Sequence, residues 1–150
     1  MREEYSFLSS NRKGGKGIMS INNDLPITNK PLLKTILLVE DDVSIGELLM
    51  DVLKEEGLYK IVLVTDGFQA LKVAMTIHPL LFVLDYQLPG MNGFELYDRL
   101  HATEGLRDIP ALFVSANVPL KELEKRHLQY IRKPFELDQL LEAIEKHIAA

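Results

Sequence analysis

The chain has 150 residues, 47% in the apolar set and 26% charged, a balance that suits one globular domain and is too short for a multidomain enzyme. With 17 Lys and Arg against 22 Asp and Glu the formal charge is −5, which argues against sequence-independent binding to a phosphate backbone. The absence of cysteine excludes disulfides, thiolate zinc sites and cysteine nucleophiles and suits a reducing cytoplasm, and the longest apolar run, Leu80 to Leu84, falls far short of the roughly 20 residues that span a membrane.

Residues 1 to 31 are rich in Gly, Asn, Ser and Lys and follow neither helical nor strand periodicity, so residues 1–33 read as a flexible N-terminal extension and 34–150 as the folded domain. The extension holds five basic and three acidic residues, net +2, which leaves −7 on the remainder. Its GGKG run lacks the wider glycine gap and the Ser or Thr of a P-loop. A short, marginal helix over Glu3 to Leu8 is the one element expected there. The opening residues MREEYSFLSS have no apolar core of the secretory kind, so the expected location is the cytoplasm, with no membrane partner.

From Lys34 onward, short apolar runs alternate with stretches of helical period. Strands are expected at Thr35 to Val39, Tyr59 to Val64, Leu80 to Leu84, Ala111 to Val114 and, more weakly, Leu128 to Ile131. Apart from Thr35 and Lys60, the first four are apolar throughout, as expected of parallel strands covered on both faces. Ile45, Leu48, Leu49 and Val52 define a first helix stopped near Gly57, with Asp42 as its N-cap; Asp66 to Ile77 define a second; and Gly93 opens a third carrying Phe94, Tyr97 and Leu100. The fourth, within Pro119 to Arg126, has only Leu120 and Leu123 as apolar anchors, and the last follows Pro134 with a stripe from Leu137 to Ile148. Five strands alternating with five helices imply a doubly wound α/β domain with one parallel sheet.

In such sheets ligands bind outside the carboxyl ends of the strands, where strand order reverses. Glu40, Asp41 and Asp42 follow the first strand, Asp85 the third, Ser115 the fourth, and Lys133 with Pro134 the fifth. Singly these residues have ordinary uses as helix caps, turn formers and surface charges. With Asp42 taken as the helix cap, the remaining three carboxylates, Glu40, Asp41 and Asp85, repel one another at one sheet edge unless a cation neutralises them. An oxygen-only donor set suits a hard divalent ion, most naturally Mg²⁺, while Lys133 and Ser115 are placed to hold a phosphoryl group.

These residues sit in ILLVEDD, TDGFQAL, FVLDYQLPGMNGFEL, IPALFVSA and a late KPF, and over Lys34 to Ile148 the chain resembles the receiver domain of a bacterial two-component response regulator. The gaps of 44 positions from Asp41 to Asp85 and 30 from Asp85 to Ser115 match that family's spacing. The resemblance implies a flavodoxin-like (βα)5 fold with strand order 2-1-3-4-5. It implies Asp85 as acceptor of a phosphoryl group from a sensor histidine kinase or a histidine phosphotransfer protein. Mg²⁺ would be held by Asp41, Asp85, Glu40 acting through water, and the backbone carbonyl of Gln87. Ser115 and Lys133 would contact the phosphate, and Tyr130 would act as the switch aromatic, altering the face around the fourth helix, fifth strand and fifth helix. Self-phosphorylation and self-dephosphorylation are the only chemistry it implies.

Two departures bear on that output face. Ser115 to Lys133 is 18 positions, about four fewer than the family usually has, or roughly one helical turn, so a short or distorted fourth helix is expected. Lys125, Arg126 and His127 stand where a glycine-containing turn is usual. With the last helix ending at the C-terminus, the chain reads as a stand-alone receiver that acts through a separate effector, without direct DNA binding; a homodimer is left open. The competing reading is an interaction module independent of phosphorylation, motivated by the short fourth helix. An aspartyl-phosphate hydrolase would need a second acid two residues after Asp85, where this chain has Gln87.

Overall fold

The structure, a computed structural model, describes residues 34–149; the N-terminal extension, with its GGKG run and candidate helix, lies outside the described residues. Five strands, β1 (Lys34–Val39), β2 (Tyr59–Val64), β3 (Leu81–Leu84), β4 (Ala111–Ser115) and β5 (Gln129–Arg132), alternate with α1 (Val43–Glu55), α2 (Gly67–Ile77), α3 (Gly93–His101), α4 (Leu120–Lys125) and α5 (Leu137–Ala149). All strand pairs are parallel and the order is β2-β1-β3-β4-β5, so the direction of travel across the sheet reverses between β1 and β3. This is the doubly wound arrangement expected, and it puts the crevice above the ends of those two strands.

The continuous apolar runs are explained by burial on both faces. Alternate residues divide between two cores: Leu37, Val39, Phe82, Leu84 and Phe113 face Ala70 and Ala74 of α2 and Phe94, Tyr97 and Leu100 of α3. Ile36, Leu38, Val83, Leu112 and Val114 face Leu49 and Leu53 of α1 and Leu140 and Ile144 of α5. Edge strand β5 has Ile131 as its one fully buried residue, which is why its pattern is weak in the sequence. Leu80 lies just outside β3 and is exposed, although its N–H donates to Thr35 O at 2.8 Å.

The helix starts follow their caps. The Asp42 side chain accepts from the Ile45 N–H, Asp66 from the Gln69 N–H, and Asn92 forms a reciprocal capping box with Glu95. α4 differs: its N-cap is Pro119, which offers no side-chain bond, and of its six residues only Leu123 is buried. Two residues past its end His127 adopts φ +54°, the left-handed conformation that a glycine would hold without strain.

Candidate functional site

The parallel ladder continues one residue beyond β1, β3 and β5, and that continuation assembles the site. The Glu40 N–H donates to Val64 O, the Asp85 N–H to Val39 O and the Lys133 N–H to Ser115 O, each at 3.1 Å. Residues from the ends of four strands are thereby set in adjacent rows. Lys133 Nζ then donates to Glu40 Oε1 at 2.6 Å and to Asp85 Oδ2 at 3.4 Å, across 93 and 48 positions of sequence. Glu40 Oε2 accepts from the Asp42 N–H at 3.2 Å, and Asp85 Oδ1 from the Gln87 N–H at 3.3 Å.

Glu40, Asp41 and Asp85 each bring a carboxylate oxygen to within 4.8 Å of the others. Glu40 and Asp85 are buried, whereas Asp41 is open to solvent. Ser115 Oγ is buried and has no hydrogen-bond partner among the described residues, which leaves an unspent donor at the end of β4. Tyr130 is paired in register with Phe113 and packs, half-buried, on the core that also contains Leu123 of α4.

Burial, followed by the charge of Asp85, pushes the Glu40 carboxyl up to about 7 despite the adjacent ammonium. Burial works against the Lys133 ammonium, but the Glu40 and Asp85 carboxylates outweigh it and hold the amine protonated above its ordinary range. When all three carboxylates are ionised, as a bound cation would require, the single ammonium leaves the pocket two negative charges in excess. That deficit, with oxygen donors alone, fits one hard divalent cation.

The floor of the pocket is set by a close approach. The Gly93 N–H donates to Tyr86 O at 2.8 Å, and a Cβ at Gly93 would stand 2.4 Å from the Asp85 carbonyl oxygen and 2.7 Å from the Phe113 ring. Only glycine lets α3 pack this closely beneath the Asp85 segment. Strand-end logic reaches Glu40, Asp41, Asp85, Ser115 and Lys133; the three carboxylates and the Lys133 ammonium lie together, and Ser115 adjoins them through its backbone, its carbonyl accepting from the Lys133 N–H. It does not reach Arg126, one residue past α4, whose guanidinium binds Asp98 of α3 through two 2.9 Å bonds and Glu122 through another.

This chain belongs to the response regulator receiver domain family, whose model matches residues 36–145. It is 34% identical over 117 residues to the DNA-binding response regulator MtrA of Mycolicibacterium paratuberculosis, covering 75% of this chain and 50% of that protein. It is 32% identical over 122 residues to the polar-differentiation response regulator DivK of Brucella ovis, covering 78% of this chain and 98% of that one. The chain thus spans about half the length of the MtrA relatives and nearly all of DivK. Among solved structures it is similar to the receiver domain of the sensor histidine kinase PA1611 from Pseudomonas aeruginosa, with a TM-score of 0.72 and 27% identity over 79% of this chain and 100% of that one. That structure has a magnesium ion coordinated in its active-site cleft. Membership makes the chain a receiver domain of the kind used in phosphorylation-based two-component signalling, with the expected flavodoxin-like fold. Among the described residues no helix is long and apolar enough to cross a membrane.

Proposed function

We propose that this domain is a phosphorylation-controlled switch in which Asp85 is the phosphoacceptor. The observation that carries this reading is the bridge from Lys133 Nζ to both Glu40 and Asp85, which sets an ammonium beside the would-be nucleophile in an acidic, mostly buried pocket. The Gln87 N–H and the Lys133 ammonium each hold one Asp85 oxygen, so the carboxylate is oriented before any donor arrives. In the transfer, an Asp85 oxygen forms its bond to phosphorus as the phosphorus–nitrogen bond of the donor's phosphohistidine breaks, and the imidazole nitrogen keeps the bonding electron pair. Glu40, Asp41, Asp85 and the Gln87 carbonyl would hold Mg²⁺, which supplies charge neutralisation for the phosphoryl oxygens.

Lys133 exchanges part of its bond to Glu40 for the phosphoryl oxygens, and Ser115 Oγ gains the acceptor it lacks. Ser115 is the last residue of β4, so its movement reaches α4 through the short segment 116–119, and the half-buried Tyr130 follows on the neighbouring strand. The phosphoryl donor is a sensor histidine kinase or a histidine phosphotransfer protein, and the readout is a separate effector protein in the cytoplasm, with self-phosphorylation from small acyl phosphates as the accompanying chemistry. Acetyl phosphate with Mg²⁺ should add one phosphoryl group to the intact protein, as read by mass spectrometry, and EDTA should prevent it. Incorporation that persists in EDTA would contradict the acid-cluster reading, and none with Mg²⁺ would favour the phosphorylation-independent interaction module.

A further inference from the structure

We infer that Arg126 is a latch that holds α4 against α3 in the unphosphorylated domain, so that breaking it raises the affinity of the Asp85 pocket for a phosphoryl group; the inference rests on the reading of Asp85 as acceptor. The starting point is how little else holds α4. It is six residues long, starts at a proline without a side-chain cap, and buries only Leu123, too little for a helix of this length to be fixed by its own bonds.

Arg126 supplies what is missing. Nε and Nη2 donate to the two oxygens of Asp98 at 2.9 Å each, a bidentate fork, while Nη1 donates to the Glu122 carbonyl at 3.0 Å and to Glu122 Oε1 at 2.9 Å. The guanidinium carbon lies 4.6 Å from the centroid of the Phe94 ring, and the side chain is 20% exposed. Asp98 and Phe94 belong to α3, which is anchored by buried Phe94, Leu96, Tyr97 and Leu100 and by the Gly93 contact with Asp85. Phe94 in turn packs in tilted contact with Phe113 at 5.0 Å and with Tyr86 at 5.3 Å, the residues two before Ser115 and one after Asp85. One end of the latch is therefore fixed to the floor of the acceptor pocket and the other to the end of α4.

A phosphoryl group on Asp85 draws Ser115 Oγ, a buried donor without a partner, and displaces the chain leading into α4. The fork geometry tolerates little displacement, so the moved state keeps fewer of the Arg126 bonds than the unphosphorylated one. An interaction stronger in one state than in the other biases that equilibrium, and by linkage its loss is returned as affinity at the pocket. A clamp that merely stabilised the fold would be equally intact in both states and would leave that affinity alone.

The test is a titration of Mg²⁺-loaded protein with beryllofluoride, followed by fluorine NMR, on wild type, Arg126→Gln, Asp98→Asn, Glu122→Gln and the Arg126→Gln/Asp98→Asn double variant. Arg126→Gln and Asp98→Asn should each bind about fivefold more tightly, and the double variant should be no tighter than either single, since both remove the same contact. Arg126→Lys, which keeps the charge but not the fork, should fall between wild type and Arg126→Gln. Asp98→Asn keeps Arg126 on the Phe94 ring, so it carries the test if Arg126→Gln does not fold, and Glu122→Gln, which removes a bond between neighbours on the α4 side alone, is the control that should bind as wild type does. Arg126→Gln and Asp98→Asn that bind as wild type does, or more weakly, overturn the latch while leaving the acceptor reading intact. Wild type that takes up no beryllofluoride overturns the acceptor reading and the latch with it.

Discussion

Replacing Lys133 by Met removes the one ammonium bonded to the acidic pocket among the described residues. At an effective dielectric constant of about 20, a contact of 2.6 Å is worth about 6 kcal/mol with Glu40, and one of 3.4 Å about 5 kcal/mol with Asp85. Removing Lys133 from water costs several kcal/mol in the folded protein, and breaking a mostly buried pair typically leaves a net loss near 3 kcal/mol. The Lys133 side chain is 17% exposed, so screening by solvent is modest. In a domain of this size a loss of about 3 kcal/mol lowers Tm by roughly 10–15 °C. The deficit depends on pH with a definite sign. The Glu40 carboxyl is pushed up to about 7 by burial and then by Asp85, and a raised carboxyl gives its full stability below its unfolded value and loses it as pH rises through the folded one. Without Lys133 that carboxyl rises further, so protonation rescues the variant at pH 5 and not at pH 8. Calorimetric melting in EDTA at the two pH values measures this. A deficit equal at pH 5 and pH 8, or absent at pH 8, would refute the charge accounting.

Three further outcomes follow from the packing and charges. Gly93→Ala places a methyl group 2.4 Å from the Asp85 carbonyl oxygen, so it should cost about 2–3 kcal/mol in urea unfolding and slow phosphorylation by acetyl phosphate; wild-type values for both would contradict the close approach. His127→Gly should stabilise by about 0.5–1 kcal/mol, since relief of a left-handed histidine exceeds the extra entropy of the unfolded glycine, and destabilisation would show that residue 127 does not hold this conformation. The Arg126 side-chain bonds hold the Asp98 carboxyl below its ordinary value, a contribution present above that ordinary value, near 3.8, and lost as pH falls through the folded one. Wild type should therefore exceed Asp98→Asn in stability at pH 7, and the two should converge in acid; parallel curves down to pH 2 would contradict the pairing.

The strands with two covered faces were legible because burial demands continuous apolar runs, as in ILLV and LFVL. Leu80 extends such a run yet is exposed, because hydropathy does not mark where the ladder stops. β5 was faint since one face of an edge strand meets less of the core. The convergence of Glu40, Asp85, Ser115 and Lys133 followed from topology alone, whereas the choice of Glu40 as the nearer partner of Lys133 depends on side-chain rotamers that no spacing encodes. The shortened α4 was legible as a missing turn. The ion pairs of Arg126 were not, because its partner Asp98 lies 28 positions away on a separate helix and only the packed fold brings them together.

Tandem mass spectrometry of the hydroxylamine-sensitive acyl phosphate formed with acetyl phosphate and Mg²⁺ locates the phosphoryl group directly. The account predicts a single labelled carboxylate at Asp85, lost in Asp85→Asn. Label on Glu40 or Asp41 in the wild type, or undiminished label in Asp85→Asn, would contradict it.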